Sequence, residues 1–327
     1  MKLKDFFEKA LATGRAHDPR GPEGLRDYLA REREVYDALG DAEKQEFDVE
    51  RLTNPYHDSR ILYGADDLDV KVLLAGVDVE IGEILLADRL RERGRRIDMC
   101  FAHHPEGFAQ ANLYRVMEMQ ADMMARFGIP INVAEGILDP RIHEVRRRLL
   151  SANHTRAVDA AQLLGMPLIC IHTPADNCVN DFLQTKMDAA QPQSVKQVVD
   201  ILKDVPEYRE QKLHNTGLIV LNKSIKSEGN LARIRAGRVF VDMTGGTGGS
   251  KWMFEKMALN TQIGTFVSMH ISDDNLEIAK TNHINVIVAG HTASDTLGLN
   301  LLLDAITEGE EIEVIPCSGF RRISHRA

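Results

Sequence analysis

The sequence predicts an α/β protein in which mainly parallel sheets are flanked by helices. Three observations carry that prediction. Short apolar runs of strand length recur along the chain, among them VKVLLAGVDV, IDMCFA, PLICIH, RVFVDM and NVIVAGH. Stretches with helical periodicity separate them, and a strand–helix–strand order favours parallel pairing with the helices packed on the sheet. The 327 residues are 43% hydrophobic and 27% charged, a length and balance that allow a sizeable core.

Residues 1–55 read as a helical N-terminal extension, with charge-rich LRDYLAREREVYDALGDAEKQEF and a turn at HDPRGPEG. A first α/β lobe is expected over 56–205. Within it, VKVLLAGVDV is a buried strand and EIGEILLADRLRERG a helix that ends near Gly94. IDMCFA is the next strand, NLYRVMEMQADMMARFG one long helix, and IPINVAE a short strand. Residues 139–164 are helical again, PLICIH is a strand, and NDFLQTKMDAA and SVKQVVDILKDV are helices. A second lobe is expected over 206–327, its α/β pattern resuming near His214. It comprises GLIVLN, RVFVDM, the glycine-rich TGGTGG, TFVSMH, helical DDNLEIAKTNH, NVIVAGH, the apolar helix LGLNLLLDAI and a closing strand, EIEVIPCS. Strand-then-His endings recur at His103, His172, His270 and His291, a loose similarity that fits two similar lobes.

Composition narrows the function classes. No apolar run is long enough to span a bilayer, and the N-terminus lacks a signal peptide's apolar core and cleavage site. A cytoplasmic protein with no membrane partner is expected. The net charge of −9 argues against a nucleic-acid partner, which requires concentrated Lys and Arg. Basic clusters at 89–96 and 146–148 fall among acidic residues in helical stretches, as on a solvated face. Cys100, Cys170, Cys178 and Cys317 show no CxxC spacing, so reduced thiols are expected rather than a disulfide framework or a Cys-rich zinc site.

Chemistry concentrates at three strand ends. IDMCFA runs into His103-His104-Pro105, PLICIH continues through His172-Thr-Pro-Ala-Asp176, and NVIVAG leads to His291-Thr-Ala-Ser-Asp295. Ligands of open parallel sheets collect beyond the carboxyl ends of the strands. Adjacent histidines in extended chain point opposite ways, so each can serve a different ion. A His and an Asp four apart share a face once a helix begins. Imidazole and carboxylate together suit zinc, iron or manganese. A carboxylate such as Asp176 can bridge paired ions about 3.5–4 Å apart, which lower the pKa of a shared water and polarise a substrate oxygen. A single histidine at a strand end is more often a hydrogen-bonded structural residue; the signal lies in the set.

In this order the motifs resemble the Nif-three-like family, whose members are described as homologues of GTP cyclohydrolase I type 2. The resemblance rests on His103-His104-Pro105, on His172-Thr173 with Asp176 and Val179-Asn180-Asp181, and on Gly290-His291 with Asp295. Tyr63-Gly64 before VKVLLAGVDV and the stretch RVFVDMTGGTGGS extend it, from about residue 62 to the C-terminus. It implies a dinuclear centre of divalent ions held by His103, His104, Asp176, His291 and Asp295, with Asp176 as the bridge and His172 lining the site. It also implies two related α/β lobes with the metals between them and a toroidal homohexamer. Three features depart from the family. Asp295 stands where Glu is usual, Pro174 stands where Asn usually follows His-Thr, and about one helix and strand are inserted near 130–165.

Two functions from different classes follow. The first is a metal-dependent hydrolase acting on a small molecule, possible substrates being a nucleotide or a cyclic amide or amidine, with a shared water as nucleophile and His172 or His270 assisting proton transfer. The second is a non-catalytic metal-bound scaffold or regulator acting as a ring-shaped oligomer. The turn Thr244–Ser250 can cradle an anion with backbone N–H groups, though a tight-turn role explains its glycines equally well. Ser272-Asp273-Asp274 after His270 reads equally as a helix cap. His143 and His154 fall on expected helical surface, and the Met-rich MEMQADMMARF reads as packing.

Overall fold

In the computed structural model, which describes residues 1–210, 218–221, 230–260 and 262–326, the apolar runs form two sheets. The strands are β1 (Arg60–Tyr63), β2 (Val72–Gly76), β3 (Met99–Ala102), β4 (Leu168–Cys170), β5 (Ile219–Leu221), β6 (Arg238–Asp242), β7 (Ile263–Ser268), β8 (Asn285–Val288) and β9 (Glu313–Cys317). The first sheet has the order β1-β4-β3-β2-β9 and the second β5-β8-β7-β6. Pairing is parallel except at β1 on β4 and β5 on β8, the antiparallel edges. Every residue of β2, β3 and β4 is buried, as expected of strands covered on both faces. This is the mixed α/β, two-lobed architecture that the sequence predicts.

Helices α1 (Leu3–Ala16), α2 (Gly21–Asp37) and α3 (Asp41–Glu46) form the N-terminal region. Leu3, Phe6 and Ala10 of α1 are wholly buried in the core of the first sheet, so this region is built into the fold. The first sheet is flanked further by α4 (Ile81–Glu92), α5 (Gly107–Asn112) and α8 (Arg156–Leu163), whereas α6 (Met119–Arg126) and α7 (Ile131–Leu149) pack on the second sheet. After β4 come α9 (Thr173–Ala190), α10 (Val195–Lys203) and α11 (Pro206–Glu210). The second sheet carries α12 (Lys251–Asn260), α13 (Asp273–Thr281) and α14 (His291–Ile306). Cores on both sides of each sheet join these elements. Among the described residues no helix is long and apolar enough to cross a membrane.

Four local readings differ from the structure. IPINVAE is not a strand but the start of α7. Its apolar residues alternate over a few positions, yet Ala134, Leu138 and Val145 line one buried helical face, and the longer period decides. The segment near 130–165 is therefore helical throughout its regular parts. The expected long helix from Asn112 is split into a 3₁₀ stretch, Leu113–Glu118, and α6. Half of HDPRGPEG is helix, because Pro22 sits in the first turn of α2 where its missing N–H costs nothing. Strand β1 has no counterpart in the sequence reading, being short and irregular in register between Ile61 and Tyr63. His214, Gly217 and Asn222, where the second α/β stretch and GLIVLN were placed, lie outside the described residues.

Candidate metal centre

Each strand end delivers its side chains by a simple backbone device. The His103 and His104 N–H groups donate to the carbonyls of Gly76 and Val77, prolonging the β2–β3 ladder at 3.0 and 2.9 Å. The His172 N–H donates to Ser59 Oγ at 2.9 Å as β4 gives way to α9. Gly290, at φ +105°, turns β8 directly into α14 through a conformation that disfavours any side chain. Both α9 and α14 thus start at a strand end, and each sets an Asp one turn beyond a His.

The result is one cluster. His103, Asp176 and Asp295 are buried, His104 is partly exposed, and the His291 side chain is 46% exposed at the mouth. His103 Nε2 stands 3.4 Å from Asp176 Oδ1 and 3.5 Å from Asp295 Oδ1. Asp295 Oδ2 faces His104 Nε2 and His291 Nε2, each at 3.6 Å, and Asp176 Oδ2 faces His172 Nε2 at 3.6 Å. Possible donor atoms of His103–Asp176–Asp295, of His104–His291–Asp295 and of His103–His104–His172 lie within 4.8 Å of one another in each group. Asp295 is common to the first two groups, whereas Asp176, the bridge implied by the resemblance, belongs to one.

Burial tests whether these residues suit a cation. Both ring nitrogens of His103, Asp176 Oδ1 and both oxygens of Asp295 are buried without a hydrogen-bond partner among the described residues. Such atoms cost about 1–3 kcal/mol each when left unsatisfied, more when charged. Their convergence on a common centre, as nitrogens and oxygens, matches the donor set of a borderline divalent ion. The charges agree. Burial pulls the His103 pKa down, but Asp295 and Asp176 reverse the effect and raise it to about 10. Burial pushes Asp295 up, and His103, His291 and His104 hold it below the usual carboxylate range. The carboxylates therefore demand positive charge at this point, from a proton or from a metal.

Two further aspartates orient the imidazoles. Asp58 Oδ2 accepts from His172 Nδ1 at 2.8 Å and from Thr173 Oγ1 at 2.6 Å. Burial acts to raise the Asp58 carboxyl, but its bond to His172 keeps it low. Asp78 Oδ1 meets His104 Nδ1 at 2.6 Å, and that bond lowers the Asp78 pKa. With Nδ1 committed, each ring presents Nε2 to the centre, the usual outer support of a ligating histidine. Neither aspartate stood out in the sequence. Asp58 precedes an unrecognised strand, while Asp78 follows β2 by two residues and carries the same strand-end signal as His103.

His270 lies exposed on the rim, its ring 5.1 Å from that of His291. It borders a cavity of about 330 Å³ together with His104, Glu106, His172, Asp176 and Asp242. Glu106 and Asp242 are also additions to the sequence reading. Burial raises the Glu106 pKa to about 7, helped by Glu80, and burial alone raises Asp242 to about 7. Carboxyls poised near neutrality beside a cavity are candidate proton-transfer groups. His143 is exposed on α7, as the sequence suggests, whereas a ring nitrogen of His154 is buried.

The fold and the cluster define a class, a two-lobed α/β protein with a buried His/Asp group able to hold metal. No protein-family model and no curated protein matches the sequence. Solved structures do match. A NIF3 superfamily protein from Sphaerobacter thermophilus superposes with a TM-score of 0.66 and 26% identity, over 80% of this chain and 91% of its own. Reduced HcgD from Methanocaldococcus jannaschii shares the fold at a TM-score of 0.51 and 16% identity, over 85% and 97% of the two chains. In fold the chain resembles the NIF3 superfamily, the likeness its ordered motifs imply.

Proposed function

We propose that the protein is a metal-dependent hydrolase with a dinuclear centre. The observation that carries this reading is the convergence of His103, His104, Asp176, His291 and Asp295, with buried atoms of His103, Asp176 and Asp295 that have no hydrogen-bond partner among the described residues. In this reading His103, Asp176 and Asp295 would hold one ion and His104, His291 and Asp295 the other. A pair of divalent ions, when bound, lowers the pKa of water and polarises a carbonyl or phosphoryl oxygen of the substrate.

The remaining work falls to the chain's own groups. Asp58 and Asp78 fix the imidazole orientations of His172 and His104. Glu106 or Asp242 accepts and returns a proton in the cavity, with His172 and His270 as the other candidates for that transfer. The partly exposed mouth at His291 and His270 admits a small molecule. The family resemblance supplies the toroidal hexamer as part of the proposal, and a light-scattering mass other than six chains would reject that part.

Protein purified without chelators should contain about two metal ions per chain by elemental analysis. It should also turn over a member of a panel of nucleotides, phosphodiesters and cyclic amides, with activity abolished in His103→Ala. Metal content well below one ion per chain would end the hydrolase reading. A full metal complement without turnover across the panel would favour the scaffold reading instead.

A further inference from the structure

A second cavity, of about 420 Å³, adjoins the first and shares Asp242, Gly248 and His270 with it. The glycine-rich turn forms one wall. Gly245 and Gly246 adopt φ of +97° and +82°, and buried Gln120 holds the turn by donating from Nε2 to the carbonyls of Gly245 and Thr247, both at 2.7 Å. Arg141 Nε donates to the Gly248 carbonyl at 3.2 Å. Three carbonyls are thereby engaged, while the N–H groups of Gly248, Gly249 and Ser250 meet no acceptor among the described residues.

Cations approach the same space from two helices. Arg141 and Arg148, two turns apart on α7, line it together with Lys251 at the start of α12. Glu144 binds Arg141 Nη1 at 2.9 Å and Arg148 Nη2 at 2.5 Å, which fixes both guanidinium groups and engages the acid. Asp242 and Asp274 are the other acids lining the cavity. Trp252, the protein's single tryptophan, forms part of the wall.

We propose that this cavity is a phosphate subsite, and that the substrate is a phosphorylated small molecule whose reacting group extends into the His/Asp cluster. Unspent backbone donors beside planar guanidinium groups and an ammonium suit a tetrahedral oxyanion. The volume suits a small-molecule fragment. Because α7 lies in the segment that departs from the family pattern, the subsite gives this chain its own substrate selection. The placement of the reacting group rests on the hydrolase reading; the anion site does not.

Chelator-treated, full-length protein separates the two. Calorimetric titration with inorganic phosphate and with pyrophosphate should give saturable binding without metal, accompanied by a change in Trp252 fluorescence. Binding should weaken by roughly tenfold or more in the double variant Arg148→Ala/Lys251→Ala. Arg141→Ala should weaken it too, but that change also releases the Gly248 carbonyl, so the double variant decides the case if Arg141→Ala folds poorly. Absence of binding in the chelated wild type would overturn the proposal. So would binding that appears only after metal is restored and is the same in the double variant, since the anion would then sit on the ions. Failure of metal loading or turnover, with metal-free phosphate binding intact, would sink the hydrolase reading and leave the subsite standing.

Discussion

The family resemblance implies Glu, one methylene longer, at the position of the Asp295 carboxylate. Asp295 is 1% exposed, with one oxygen toward His103 and the other toward His104 and His291. In the proposed centre Asp295→Asn should remove both ions, seen as metal content falling below one per chain, whereas Asp176→Asn should spare the His104–His291 site. Asp295→Glu adds a methylene to a packed position and should cost about 1–3 kcal/mol in urea unfolding. For Asp58→Ala, loss of the His172 acceptor should lower metal affinity or turnover roughly 10–100-fold. A variant with wild-type affinity and rate would show that His172 needs no orienting partner. The five proposed ligands were legible in the sequence because each follows an apolar run at a fixed, short spacing. Asp58 was not, because its partner His172 is brought to it by the β1–β4 pairing, which no local pattern announces.

Helices α9 and α14 bring the two buried carboxylates together, and one glycine sets their separation. A Cβ at Gly298 would come within 2.6 Å of the Ala175 carbonyl oxygen, one residue before Asp176. Backbone must move to admit it, so Gly298→Ala should push α14 off α9, lower metal content and destabilise the fold by about 1–3 kcal/mol. Equal metal content and equal urea midpoints would show that the approach is not required. The segment between α3 and β1 carries a pH-dependent element. Burial, with Arg115 and Arg60 nearby, lowers the His57 pKa from 6.5 to about 3, and its Nε2 pairs with the Tyr28 hydroxyl at 2.8 Å. The unfolded chain then binds the extra proton, so stability is full above about pH 6.5 and declines as pH falls toward 3. His57→Asn should flatten the part of that decline between about pH 6.5 and 5, above the carboxylate range, as read from urea midpoints at stepped pH. An unchanged slope would count against it. At this scale, fully buried β2, β3 and β4 were legible as continuous apolar runs. The start of α7 was not, since its first few residues alternate as a strand does and only a longer window shows the helical face.

Across the whole molecule, the candidate centre draws on both sheets. His103 and His172 follow strands of the first, while His291 and Asp295 begin the helix that follows a strand of the second. Ions bound there stabilise only the state in which the lobes are together, so chelation should lower the melting temperature and saturating metal should restore it. At a free metal concentration of 100 Kd the linkage amounts to about 2.7 kcal/mol. A melting temperature indifferent to metal would mean that the cluster does not bind an ion in the folded state. The α/β class was legible from the alternation of runs and helical stretches. Which sheet each strand would join was not, and β9 is the clearest case. It lies beyond the whole second sheet in sequence, yet pairs with β2 along its full length, Val72 against Glu313 through Gly76 against Cys317. A ribosome making this chain exposes β2 long before it makes β9. Until then the apolar VLLAG strand has one edge without its native partner, and such an edge can template association with other chains. The nascent protein therefore passes through a long vulnerable interval in which a holdase chaperone would be of most use, and slow translation of the second lobe would prolong it.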